Sequence, residues 1–201
     1  MHRPNELPNE LANELSNELP KNIDYSIYNS TSGMSTKHWG PAAWNFLFTS
    51  IMGTYPYKLD IKNPEHIIIR YNFKQLLTSL KIIMPCIFCR NSFTNFLKDL
   101  PIDNYLVGRI ELMYWLYKMK DKVNKKLINQ EINCYNDEKK RLKELFYKKQ
   151  ITKKEYYDKL DEFKHYEFST IPTPPFKQVL DQYEKIRAVC STKSLSCILP
   201  K

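Results

Sequence analysis

Four glycines are all that this chain carries, against ten Phe, fourteen Tyr and three Trp. The tight turns of β-rich folds draw on glycine for backbone conformations with positive φ, so a chain this poor in glycine is expected to be all-α. Its 201 residues and 42% hydrophobic content suffice for one core of ordinary domain size, with residues left over for tails.

Proline and apolar spacing place the helices. In S-T-K-H-W-G-P-A-A-W-N-F-L-F-T-S-I-M, Pro41 suits a first helical turn, and Trp44, Leu47, Phe48 and Ile51 recur at i, i+3, i+4 and i+7. Gly53 and Pro56 end that helix. Asn63-Pro64 predicts a second start, and Ile68, Phe73, Leu76, Leu77, Leu80 and Ile83 carry it to Pro85. Pro85 then suits the first residue of a third helix through Phe93, Phe96 and Leu97, with Cys86 in its opening turn. Asp103 is expected to cap a fourth, from about Asn104 to Leu127, in which Trp115 reads as core. Four helices joined by short loops predict a bundle.

Around this block lie segments of different texture. Residues 1–35 open with NELP-NELA-NELS-NELP, too short and too proline-broken for a stable helix, and are read as a disordered tail. Residues 36–135 form the expected main domain. Residues 136–168 are rich in Lys, Glu and Tyr and read as a charged helical hairpin: Leu142, Leu145 and Phe146 mark its first helix, and Thr152 and Glu155 form a capping box for its second. Residues 169–201 comprise the extended I-P-T-P-P, a short helix opened by Pro175, and a polar tail with Cys190 and Cys197.

Lys and Arg outnumber Asp and Glu by 31 to 22. Most of those lysines alternate with acids, which describes solvated helix faces, so a nucleic-acid partner is not expected. No apolar run approaches the ~18 residues of a membrane span, and the polar N-terminus has no apolar signal core; a soluble protein is expected.

Cys86 and Cys89, in M-P-C-I-F-C-R-N-S-F, carry the chemistry. A zinc site needs four ligands, and one C-x2-C beside Cys134 and four scattered His does not supply them, so no metal is expected. A thioredoxin-like pair follows a β-strand, whereas the preceding residues here read as helix. Buried inert thiols remain the plain alternative. Against it, sulfurs on adjacent turns of a helix start can bond to one another, and the helix N-terminus stabilises a thiolate, so the pair is suited to redox exchange.

H-W-G-P-A-A-W-N-F-L, then Tyr55-Pro56, then C-I-F-C, then L-M-Y-W-L-Y-K-M-K-D-K-V-N-K-K-L resembles the ERV/ALR sulfhydryl oxidases over about Thr36 to Cys134. The resemblance implies a four-helix bundle with a short fifth helix that binds FAD and oxidises protein dithiols, with molecular oxygen as acceptor and hydrogen peroxide as product. It implies a homodimer as well. Cys89 would face the flavin and Cys86 would exchange with substrate, which fits a more exposed position for Cys86. Trp39, Gly40, Trp44 and Tyr55 match positions that line or support the flavin, and Val123, Asn124, Lys126 and Leu127 match the adenine-binding end. Phe48 and Lys120 stand where the family usually has histidines, offering an aromatic face and a positive charge instead. Cys134 matches the first member of a structural disulfide whose second position is Ile151 here. Cys190 and Cys197 are the candidates for a shuttle disulfide. The Asn, Ile, Lys and Tyr-rich composition is like that of family members in large DNA viruses, for which the host cytoplasm or the virion would be the location. A family member that has lost FAD and acts as a helical interaction module is the alternative.

Overall fold

Residues 33–164, 171–191 and 196–198 are described by the computed structural model, and those of them from Met34 onward belong to one compact unit. The expected N-terminal tail lies almost wholly outside the described residues. Six helices follow in order among them: α1 (Thr36–Thr54), α2 (Pro64–Ile83), α3 (Ile87–Asp99), α4 (Arg109–Tyr147), α5 (Lys153–Lys164) and α6 (Phe176–Glu184). The fold is the expected helical one. A short antiparallel hairpin, β1 (Val189–Ser191) with β2 (Ser196–Ile198), stands where a polar tail was expected.

Local chemistry explains several of the starts. Asn63 caps α2, its side chain accepting from the Glu65 amide at 2.9 Å, with Pro64 at the first helical position, where no N–H is needed. At α5 the capping box closes in both directions: Glu155 Oε2 accepts from the Thr152 amide at 2.7 Å, and Thr152 Oγ1 accepts from the Glu155 amide at 3.2 Å. The start of α1 is earlier than expected. It begins at Thr36, so Pro41 sits inside the helix and not in its first turn.

Two expectations for the fourth helix are corrected. Asp103 opens only a 3-10 turn, Asp103–Tyr105, and α4 starts at Arg109. Gly108 caps it where the chain crosses residues 57–59. A Cβ there would stand 2.7 Å from the Tyr57 carbonyl oxygen, a contact only glycine avoids. The helix then runs 39 residues without a break, through the expected domain boundary at 135. Neither Gly nor Pro interrupts Arg109 to Tyr147, and Asp121–Lys125 and Glu138–Arg141 ion pairs tie successive turns.

The core sits between α1, α2, α3 and the first half of α4. Phe48, Ile51, Leu77, Leu112, Met113, Trp115, Leu116 and Met119 are fully enclosed. Trp115 is core, as expected, and its indole N–H donates to the Leu100 carbonyl at 3.0 Å. Two residues of α6, Val179 and Tyr183, belong to the same core, so the C-terminal helix is part of the main packing unit. Leu142 and Leu160 are buried in the α4–α5 hairpin. No helix among the described residues is long and apolar enough to cross a membrane.

Candidate functional site

The redox pair stands at the α2–α3 junction. Cys86 is the N-cap of α3 in extended conformation, one residue before the helix, and its Sγ accepts from the Cys89 amide at 3.4 Å. A cap acceptor at this point meets the unpaired N–H groups and the positive end of the helix dipole. Burial opposes ionisation of Cys86. It is outweighed by hydrogen bonds from the Cys89 thiol, the Cys89 amide and the Phe88 amide, and by the charge of Lys126, so the thiol falls below its ordinary value. Cys89 moves the other way. Burial, the hydrogen bond to Cys86 and the neighbouring negative charge push it up to about 12, against the pull of Lys126 and Arg90. In the dithiol form, Cys86 is therefore the more readily ionised of the two, with Cys89 as the proton donor beside it.

The expectation that Cys86 is the more exposed residue is corrected: it is 8% exposed, and Cys89 is half-buried. The reason is its place before the helix, in a loop held from two sides. Arg90 Nη1 donates to the Met84 carbonyl at 2.6 Å, and the Met34 amide donates to the Pro85 carbonyl at 2.6 Å. Trp39 joins this arrangement through its indole N–H, which donates to the Met34 carbonyl at 3.2 Å. One turn beyond Cys89, Ser92 Oγ accepts from Lys126 Nζ at 2.6 Å, which brings the α4 cation to the thiol helix. Arg90 and Ser92 were missed in the sequence. Their i+4 and i+3 spacing from Cys86 and Cys89 was the available signal.

The remaining candidate residues divide. Gly40 has no atom within 4 Å of where a Cβ would lie, and Trp44 is half-buried. Tyr55 is fully enclosed, its hydroxyl donating to the Leu106 carbonyl at 2.9 Å, and burial pushes its pKa up to about 12. It supports the core and presents no free face. Val123 and Leu127 are half-buried on α4. Cys134 is a free, exposed thiol on α4. Cys190 and Cys197 lie opposite one another in the β1–β2 register.

Phe48, Lys120 and Asn124 come together, and they are already occupied. Tyr183 stacks on the Phe48 ring with centroids 5.0 Å apart and planes 21° apart. Lys120 Nζ sits 5.8 Å from the same ring's centroid, and burial lowers its pKa. Asn124 Nδ2 donates to the Ile171 carbonyl at 3.0 Å and to Thr173 Oγ1 at 3.1 Å. Tyr183 and Thr173 were also missed, although Phe176, Val179, Leu180 and Tyr183 follow the i, i+3, i+4, i+7 pattern of a packed face.

By residue type this set suits an aromatic, anionic cofactor: ring faces, an amide and the cations of Lys120 and Lys126. By arrangement it does not fit FAD, because the open ring face and the amide donors that the cofactor would need are taken by the chain's own residues 171–184.

A sequence model described as the Erv1 / Alr family matches residues 41–146, just over half of the chain. Among solved structures, one described as the crystal structure of the yeast Erv1 core matches with 23% identity and a TM-score of 0.40, covering 55% of this chain and 83% of that one. No curated protein matches.

Proposed function

Because the chain belongs to the Erv1/Alr family, we propose that it is a FAD-linked sulfhydryl oxidase that forms disulfides in protein substrates, with molecular oxygen as the final acceptor and hydrogen peroxide as product. The observation that carries this reading is the unequal thiol pair, with Cys86 capping a helix start, its sulfur accepting from the Cys89 amide, and its thiol lowered while that of Cys89 is raised.

In the oxidised form, a substrate thiolate attacks the Cys86 sulfur, a mixed disulfide forms and Cys89 leaves. Lys126 and Arg90 favour the departing charge, and the Cys86 charge that opposes it in the dithiol form is absent once Cys86 is bonded to substrate. A second substrate thiolate then attacks the mixed disulfide. The substrate leaves as a disulfide, two electrons poorer, and Cys86 and Cys89 hold the pair as a thiolate and a thiol. Bound FAD would supply the two-electron acceptor that restores the disulfide. Helix α3 fixes both sulfurs, and the Met34 and Arg90 bonds hold the loop before them.

A protein substrate is supported by the apolar rim beside the pair, where Met34, Ile83 and Phe88 are exposed. A homodimer is supported by the outward side chains of Ile67, Ile68 and Tyr71 on α2. The facing register of Cys190 and Cys197 suits a disulfide between them, and we assign that pair the role of shuttle to Cys86–Cys89.

Oxygen consumption by the purified chain with added FAD tests the reading. Reduced, unfolded protein and dithiothreitol should both be oxidised, and Cys86→Ser or Cys89→Ser should bring either rate to background. The Cys190→Ser/Cys197→Ser double variant should slow protein oxidation and spare dithiothreitol; equal effects on both would remove the shuttle. A second reading, a helical interaction module without cofactor, draws support from Tyr183 closing over Phe48. A chain that takes up no FAD and consumes no oxygen would favour it.

A further inference from the structure

A continuous chain of hydrogen bonds runs from α4 to the Cys86 sulfur. Lys126 Nζ donates to Ser92 Oγ at 2.6 Å, and Ser92 Oγ donates in turn to the Phe88 carbonyl at 2.8 Å. That carbonyl shares one peptide group with the Cys89 amide, which donates to Cys86 Sγ at 3.4 Å. Chemistry fixes the direction. An ammonium only donates, so the serine oxygen accepts from it and turns its own hydrogen to the carbonyl. The peptide group thus accepts at its oxygen and donates at its nitrogen, and each bond in such a chain polarises the next.

A hydroxyl bonding back to the carbonyl four residues earlier is common in helices, and Thr49, Thr78 and Thr94 do the same here. Ser92 differs at both ends of its bond. A cation from another helix stands behind it, and the carbonyl it reaches belongs to the peptide group that caps onto the sulfur. Ser92 and Lys126 are both half-buried, which screens their contact in part from solvent. Among the described residues, the titratable and charged groups acting on Cys86 are Cys89 of α3 and Lys126 of α4, while Arg90 of α3 acts on Cys89. Burial raises the Cys86 thiol; bonds from the Cys89 thiol and from the Cys89 and Phe88 amides, with the Lys126 charge, bring it below its ordinary value.

We propose that Ser92 is a positioning residue for Cys86: it seats the Lys126 ammonium on α3 and passes its pull through the Phe88–Cys89 peptide to the Cys86 sulfur. The proposal rests on the thiol-exchange reading above, in which a second substrate thiolate attacks the mixed disulfide. There the bond between the substrate and Cys86 sulfurs breaks, the substrate disulfide forms, and Cys86 takes the electron pair as a thiolate. A leaving sulfur of lower pKa departs faster, so the chain of bonds acts at that step. The family resemblance places Lys126 at the adenine-binding end, whereas its hydrogen bond places it behind the thiol pair.

The test is the titration of Cys86 in the reduced full-length chain, read as the pH dependence of its iodoacetamide labelling by peptide mass spectrometry. Ser92→Ala should raise the midpoint by at least about 0.5 pH unit, about a threefold loss of thiolate on its acid side. Ser92→Thr, which keeps the hydroxyl, and Thr94→Ala, which removes a back-bond outside the chain, should both keep the parent midpoint. In a Lys126→Met background, Ser92→Ala should have less than about half of its effect in the parent, because the two residues act in series. An unmoved midpoint in Ser92→Ala, an equal rise in Ser92→Thr or Thr94→Ala, or an undiminished effect beside Lys126→Met would overturn the proposal. If Ser92→Ala does not fold, Ser92→Val measured against its near-isostere Ser92→Thr decides. The labelling needs neither FAD nor oxygen, so its failure is distinct from a failure of oxygen consumption, on which the oxidase reading depends.

Discussion

The reduced pair should react with an alkylating agent at the less exposed cysteine, Cys86. Iodoacetamide attacks thiolates, so thiolate population and physical access pull in opposite directions here. Cys86 is only 8% exposed, and Cys89 is half-buried. A thiol at the ordinary value of 9.0 is ionised in about one molecule in ten at pH 8, and one raised to about 12, like Cys89, in about one in ten thousand. Because Cys86 lies below the ordinary value, its thiolate outnumbers that of Cys89 by at least about a thousandfold. Nucleophilicity falls as pKa falls, with a Brønsted slope near 0.45, which returns about twentyfold over three units and leaves about fiftyfold in favour of Cys86. The access difference is smaller than that. Initial rates on the reduced chain, read at each cysteine by peptide mass spectrometry, should favour Cys86 by at least about tenfold. Equal rates, or faster labelling at Cys89, would refute the electrostatic asymmetry. Lys126→Met should narrow the gap by raising Cys86, since the lysine charge helps hold it down.

Three structural predictions accompany it. Tyr55→Phe leaves the buried Leu106 carbonyl without its donor and should cost about 1–3 kcal/mol in urea unfolding; a change within about 0.5 kcal/mol would dismiss that bond. The α4–α5 turn is a Schellman motif, with Lys149 and Gln150 amides donating to Phe146 and Leu145 carbonyls and Lys149 at φ 56°. Lys149→Gly should therefore stabilise the chain by about 0.5–1 kcal/mol, seen as a higher melting temperature. The reduced chain should also lose stability as pH climbs from about 9 to 12. Cys89 and Tyr55 both have raised folded pKa values, so the stability each contributes is complete below its unfolded pKa and is lost as pH rises toward the folded one. Tyr55→Phe should flatten the upper part of that decline.

Particular residues show what could be read in advance. The caps at Asn63 and Thr152 were legible because a short side chain satisfies a neighbouring amide without reference to the rest of the fold. The same locality placed Cys86 at a helix start. Helix α4 was misjudged because the composition shift near Cys134 reads like a boundary, whereas a backbone free of Gly and Pro with ion pairs along its turns has no reason to stop. Cys86 was expected to be open because its helical position was visible and the Met34 and Arg90 bonds across its loop were not. The partner of Phe48 was illegible for a similar reason. Tyr183 stands 135 positions further along, and the apolar spacing of α6 announces a packed face without saying against what.

The central claim, that Cys86 and Cys89 exchange electrons between protein dithiols and a flavin, is tested most directly by the visible spectrum of the chain loaded with excess FAD and freed of the unbound cofactor. Added anaerobically, dithiothreitol should bleach the bound flavin in the parent and leave it coloured in Cys89→Ser, with colour returning to the parent on exposure to oxygen. A flavin that stays oxidised in the parent, or that bleaches equally without Cys89, would contradict the account.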